Sequence, residues 1–160
     1  MYLISACLVG ENCKYNGGNN ECKEVVEFVK RAEAEGKTCI LVCPEIEVLS
    51  VPRIPVEIIN GRAVNKEGTD VTDEFEKGAE QTWKNIQTVM AATGATIEAK
   101  ANGATIEMAI LKANSPSCGS GTIYDGTFTG KLVPGDGFFT KLLKEKGIKV
   151  ITEVDRRQQW

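Results

Sequence analysis

Three short apolar runs in this chain each stop at a cysteine or lead directly to one. Residues 2–6 end at Cys7, residues 38–42 end at Cys43, and residues 105–111 pass through a polar turn to Cys118. Runs this short have the length of buried strands and are far too short to span a bilayer. Segments with helical spacing stand between them. In 22–35, Val25, Val26, Phe28 and Val29 form an apolar stripe and Gly36 is a natural stop. A second helix is expected from Asp73 through Trp83, Ile86 and Val89 towards Lys100, with Thr72 as its cap and acids in its first turn. A third is expected to start at Asp136 as cap and end at Lys146–Gly147, followed by a last strand over 148–152. Strands alternating with helices predict an α/β fold, a three-layer domain with a mainly parallel, Rossmann-like sheet. The 160 residues, 42% of them apolar, suffice for one core, and no linker divides 1–160 into two domains.

The remaining stretches carry weaker signals. Asn60-Gly61 between 56–59 and 62–64 suits the type I′ turn of a hairpin. Pro52 and Pro55 disfavour a helix over 50–57 and suggest an extended segment along the surface. Residues 120–137 are rich in glycine and read as a long functional loop. Gly94-Ala95-Thr96-Ile97-Glu98 recurs as Gly103-Ala104-Thr105-Ile106-Glu107. The first copy is assigned to the helix end and the second to a turn entering a strand. Two copies are fewer than a solenoid needs, so this is a local duplication.

There is no histidine. Ser-His-Asp triads, Cys-His dyads, imidazole zinc sites and histidine-ligated haem are therefore excluded. A net charge of −3 with no basic stripe argues against intact nucleic acid and towards small molecules. Walker and Rossmann phosphate fingerprints are absent, so nucleoside triphosphates and dinucleotides are poor candidates. The opening residues lack a basic leader and an apolar core of signal-peptide length, which points to the cytoplasm, with no membrane segment. In that reducing compartment, six cysteines speak for metal, cluster or redox chemistry more than for disulfides.

Cys7, Cys43 and Cys118 share one property: each lies at or just past the carboxyl end of an expected strand, the edge where open parallel sheets bind ligands. Cys39 and Cys43 stand on one strand roughly 13 Å apart at ~3.3 Å per residue, too far for one compact centre, so Cys39 reads as a core residue. Cys22 falls in the first turn of a helix and reads as structural. Cys13, in a loop near Cys7, is a candidate ligand or redox partner. No Cys-x-x-Cys occurs, which weakens zinc-ribbon and thioredoxin readings. Three thiolates can hold three irons of a cubane cluster and leave the fourth open. They can equally be structural cysteines.

Several motifs lie in order along the chain. They are Ser5-Ala6-Cys7-Leu8-Val9-Gly10 with Cys13-Lys14-Tyr15-Asn16-Gly17, then Val42-Cys43-Pro44-Glu45, Pro52-Arg53-x-Pro55 and Asp70-Val71-Thr72. Ile110-Leu111-Lys112-x-x-Ser115-Pro116-Ser117-Cys118-Gly119-Ser120-Gly121 follows, then Ile123-Tyr124-Asp125-Gly126-Thr127-Phe128 and Val133-Pro134-Gly135-Asp136-Gly137. Together they resemble the thiouracil desulfidase family, long catalogued as a domain of unknown function. The resemblance implies an enzyme with a [4Fe-4S] cluster held by Cys7, Cys43 and Cys118, and with Glu45 and Ser115 as catalytic acid–base residues. It implies non-redox removal of sulfur from a thiolated pyrimidine base or nucleoside, giving uracil and sulfide from thiouracil. Two positions depart from the family pattern: 46–51 lacks a glycine pair, and Asn16 stands where aspartate is common.

Bottom-up, a carboxylate two residues after Cys43 can reach the same pocket without displacing a metal, and a soft thiocarbonyl sulfur suits an open iron. Ser115 is otherwise a turn residue, with Ser117 as its nearest competitor, and Lys112 is either a steering charge or a lysine beside an acidic neighbour. The competing functions are a non-catalytic iron–sulfur or sulfide-binding module and a thiol redox protein using Cys7 and Cys13.

Overall fold

A computed structural model describes residues 1–94 and 106–155. The chain runs β1 (Tyr2–Ser5), a 3-10 turn (Ala6–Val9), α1 (Lys23–Ala34), β2 (Cys39–Val42), a second 3-10 turn (Pro44–Glu47) and a hairpin of β3 (Val56–Ile59) and β4 (Arg62–Asn65). It continues with α2 (Thr72–Ala92), β5 (Met108–Leu111), β6 (Thr122–Tyr124), β7 (Leu132–Pro134), α3 (Phe138–Glu145) and β8 (Val150–Thr152). Four strands form a parallel sheet in the order β2-β1-β5-β8. Tyr2 stands opposite Cys39 on one side and Met108 on the other, and Ala109 is opposite Val150.

Successive residues of a strand face opposite sides, so a sheet covered on both faces needs unbroken apolar runs. Leu3, Ala109 and Leu111 pack with Trp83, Ile86 and Met90 of α2 and with Phe139 and Leu143 of α3. Their neighbours Ile4, Ile110 and Ile151 pack on the other face with Val25, Phe28 and Ala32 of α1. This is the expected α/β architecture in three layers. The apolar runs of β1 and β5 suit strands because a doubly covered sheet buries successive residues on both faces, whereas the edge strand β2 leaves Leu41 exposed.

The chain leaves β1 through α1 to β2 on one side, and later returns to β5 on the other. Strand order therefore reverses between β1 and β5, which opens a crevice at their carboxyl ends. α2 lies hard against the Pro44–Glu47 turn: a Cβ on Gly78 would sit 2.4 Å from the Pro44 carbonyl oxygen. No helix among the described residues is long and apolar enough to cross a membrane.

Several local expectations are corrected. α2 ends at Ala92, with Gly94 in the left-handed region at φ +72°, instead of running towards Lys100. The rest of that expectation, and most of both pentapeptide copies, lies outside the described residues. Thr72 is the first helical residue and not the cap. Its hydroxyl accepts the Ala63 N–H, while Asp70 accepts the Thr72 N–H, so the acid two residues earlier does the capping work. Asp136 is likewise not the cap of α3. It accepts the Gly121 N–H and pairs with Lys144, and the helix begins after Gly137. Within 120–137 the chain folds into the β6–β7 hairpin, whose three-residue strands are too short to show alternation among so many glycines.

Candidate active site

The crevice at the carboxyl ends of β1, β2 and β5 holds a cavity of about 550 Å³. Cys7, Cys13, Cys43 and Cys118 all line it, as do Glu45 and Ser115. Each thiol is placed by a different turn. Cys7 sits in the 3-10 turn after β1, closed by Gly10 at φ +98°, and its carbonyl accepts the Asn20 N–H. Cys43 is the residue before the second 3-10 turn.

Cys118 lies in a turn bolted to α3. The first N–H groups of that helix have no partner within it, and here Phe138 donates to the Pro116 carbonyl while Phe139 and Thr140 donate to that of Ser117. The Thr140 hydroxyl adds a bond to the Cys118 carbonyl at 2.8 Å. A Cβ on Gly137 would lie 2.4 Å from the Ser117 carbonyl carbon, so only glycine lets helix and turn meet this closely.

Cys13 is buried and lines the same cavity wall as Cys7 and Cys43, and the three thiols influence one another's ionisation. Cys13, aided by Asn20 and Lys112, brings Cys7 down to about 7 against the pull of burial. It also lowers Cys43, and the two neighbouring thiols raise Cys13 itself well above the ordinary thiol value. The Cys43 Sγ lies 3.9 Å from the Cys13 carbonyl oxygen. Burial pushes Cys118 well above the usual thiol range. Among the described residues, no group of three His, Cys, Asp or Glu side chains is gathered closely enough for a single metal ion. A cubane cluster asks for something else, because each cysteine binds a different iron and the thiols ring a space instead of meeting at a point. Soft sulfur donors around a cavity, with no imidazole, fit that group.

Glu45 is clamped on both oxygens. Arg53 donates to Oε2 from Nε at 2.9 Å and from Nη2 at 2.5 Å, and the Ser117 hydroxyl donates to Oε1 at 3.2 Å. The Arg53 side chain is only 8% exposed and that of Glu45 16%. Nη2 also donates to the Cys13 carbonyl, and Nη1 is buried without a hydrogen-bond partner. The segment expected along the surface therefore delivers its arginine into the cavity wall. Sequence reasoning missed Arg53 as a site residue. The available signal was an arginine framed by Pro52 and Pro55 on stiff, extended chain.

Ser115 Oγ accepts the N–H groups of Ser117 and Cys118, both at 3.1 Å, which fixes the Cys118 turn. Lys112 pairs with Glu153 at 2.5 Å, and Glu153 also accepts the Ala113 N–H, so this lysine is anchored at the cavity rim. Asn16 accepts the Gly18 N–H within the 11–20 loop. Cys22 and Cys39 stand away from the cavity. Cys22 precedes α1 and donates its thiol to Glu24, and Cys39 packs at the edge of the core beneath α1.

Cysteine donors at the point where a parallel sheet reverses its order define an α/β protein equipped for soft-metal chemistry. The model of the 2-thiouracil desulfurase family matches residues 2–155, and the chain belongs to that family. It is 38% identical over 164 residues to YbbK, an uncharacterised protein of Bacillus subtilis (strain 168), covering 96% of this chain and 95% of YbbK. A solved structure described as the [4Fe-4S]-dependent thiouracil desulfidase TudS superposes with a TM-score of 0.77 at 35% identity. It covers 98% of this chain and 93% of that one. Family membership makes this protein a desulfidase enzyme, in agreement with the sequence.

Proposed function

We propose that this protein is a [4Fe-4S]-dependent desulfidase that removes sulfur from thiolated pyrimidines by substitution. The overall balance is thiocarbonyl plus water to carbonyl plus hydrogen sulfide, with no electrons gained or lost. The observation that carries the reading is the placement of Cys7, Cys43 and Cys118 around one cavity with Glu45 and Ser115 on its walls. These three cysteines would hold the cluster, whose open iron supplies a soft Lewis acid for the thiocarbonyl sulfur.

The chain's own groups then have separable tasks. Glu45, oriented by Arg53 and Ser117, takes a proton from the attacking water at a carboxylate oxygen. Ser115 accepts two backbone N–H groups, which polarises its hydroxyl and directs its own proton towards the substrate. Lys112, neutralised by its pair with Glu153, braces the cavity wall beside Ala113. The substrate is a free base or nucleoside, which suits a chain without a basic stripe, and six free thiols suit the reducing cytoplasm.

The test is iron and acid-labile sulfide content after anaerobic reconstitution, followed by sulfide release from 2- and 4-thiouracil. A filled cluster with turnover is expected, and Cys43→Ser should lose nearly all bound iron and all turnover. Absence of iron in the reconstituted wild type would overturn the proposal. The influence of Cys13 on the Cys7 thiol favours one rival, a thiol redox protein, and full activity in Cys118→Ala would choose it.

A further inference from the structure

We infer that Phe128, at the tip of the β6–β7 hairpin, determines specificity by providing the flat face against which the pyrimidine ring lies. The inference rests on reading the cavity as a site for thiolated pyrimidines and assigns a role to the Ile123–Phe128 motif, which the chemistry above leaves unused.

Phe128 adopts φ +57°. Among the described residues the other non-glycine positions with positive φ are Asn60 and Asn114, and asparagine tolerates that region while a bulky aromatic does not. A phenylalanine is found there only where its surroundings impose the conformation. Here the imposing group is Glu57, a buried carboxylate on β3 whose Oε2 accepts the N–H groups of Gly126 and Phe128, each at 2.9 Å. Gly126 makes the approach of hairpin to strand possible. Its φ is +87°, and a Cβ there would fall 2.0 Å from Ile59 Cγ1. The tip is also tied to itself, since Asp125 accepts both the N–H and the hydroxyl of Thr127.

Burying a carboxylate is expensive unless it is hydrogen-bonded, and both backbone N–H groups that Glu57 accepts belong to the hairpin tip, so its bonds fix the backbone of Phe128. Glu57, Tyr124 and Phe128 all line the same cavity as the four thiols. A thiolated pyrimidine presents a soft sulfur, polar ring edges and a flat π-face. The cluster that the cysteines would hold matches the first, and Glu45 with Ser115 the second. Phe128, half-buried and lining the same cavity as Tyr124, matches the third. Aromatic stacking is tolerant of ring substituents, so this wall selects for a planar heteroaromatic ring and the other groups select for the sulfur.

The test compares wild type with Phe128→Asn and Phe128→Trp, using uracil as a ligand that cannot react. Asparagine keeps the left-handed backbone and removes the ring. Tryptophan keeps and enlarges the face. Calorimetric Kd for uracil should weaken roughly ten- to hundred-fold in Phe128→Asn and hold or tighten in Phe128→Trp. Thermal midpoint and reconstituted iron content should stay at wild-type values in both. A folded Phe128→Asn that binds uracil as well as wild type overturns the inference, as does a folded Phe128→Trp that loses binding tenfold. If the wild type neither binds uracil nor releases sulfide from thiouracil, the pyrimidine reading itself fails, a different result from losing the Phe128 effect alone.

Discussion

At the amino ends of β1 and β5, Glu107 accepts hydrogen bonds from the Tyr2 hydroxyl at 2.8 Å and from Lys37 at 2.6 Å, with the lysine 43% and the glutamate 38% exposed. At the carboxyl ends of the same sheet, Glu45 and Arg53 form an ion pair almost withdrawn from water, beside four thiols. Both pairs have good geometry, but they differ in what their loss would leave behind. An exposed charge that loses its partner is rehydrated, so such pairs contribute ~0–1 kcal/mol. A buried charge that loses its partner keeps its desolvation cost, and breaking such a pair costs about 3–5 kcal/mol. One sheet thus has an end whose ion pair stays in water and an end whose ion pair is withdrawn from it.

The sharpest way to break this contrast is Arg53→Ala. It should destabilise the protein by about 3 kcal/mol in urea unfolding and reduce desulfidation at least roughly hundred-fold, because Glu45 keeps only its Ser117 anchor. Arg53→Lys restores the charge without the two-pronged contact and should recover part of the stability and little of the rate. An alanine variant as stable as the wild type would show that the two ends do not differ.

Gly78→Ala should have an intermediate effect. In an exposed helix, glycine to alanine gains about 0.5–1 kcal/mol. Here the added methyl meets the Pro44 carbonyl, and a loss of about 1–3 kcal/mol is expected, with weaker turnover because the turn carrying Glu45 must move. Stabilisation by this change would mean that α2 does not brace the site.

The smallest effect belongs to the opposite end. Lys37, with help from Tyr2, holds the Glu107 carboxyl below its usual value. A depressed carboxylate stabilises the fold above its unfolded pKa, and that contribution is lost as the pH falls through the folded value. Glu107→Gln should therefore cost less than ~1 kcal/mol at neutral pH, and the difference from wild type should shrink as the pH falls through the lowered folded value. Iron content and turnover should be unchanged. A loss of activity would connect the two ends.

How much of this was legible beforehand follows from how local each cause is. The sheet was readable because buried parallel strands need continuous apolar residues, and Leu3–Ile4 and Ile110–Leu111 supply them. The meeting of Cys7, Cys43 and Cys118 followed from strand polarity, since carboxyl ends of parallel strands share one edge. Glu45 and Ser115 were singled out only through the family resemblance. No spacing rule distinguishes Ser115, which fixes the turn, from Ser117, which touches Glu45. Arg53 was hidden because prolines reveal that a segment is extended and say nothing about where it travels. Thr72 and Asp136 were misassigned as caps because a short polar side chain near a helix start can bond to loop backbone just as well.

The pairing of Tyr2 with Met108 also bears on how the molecule is made. A ribosome delivers β1, α1 and β2 early, yet the strand that completes the other side of β1 emerges only after α2 has been synthesised. Until then β1 offers an unpaired, apolar edge, the kind of surface on which nascent chains associate. Three thiols, of Cys7, Cys13 and Cys43, meanwhile face a wall that does not yet exist. Long-range pairing of this sort makes folding slow, and the crevice is closed only by late segments, the turn around Cys118 and then the β6–β7 hairpin. A fragment ending near residue 94 should therefore aggregate instead of folding as a smaller domain.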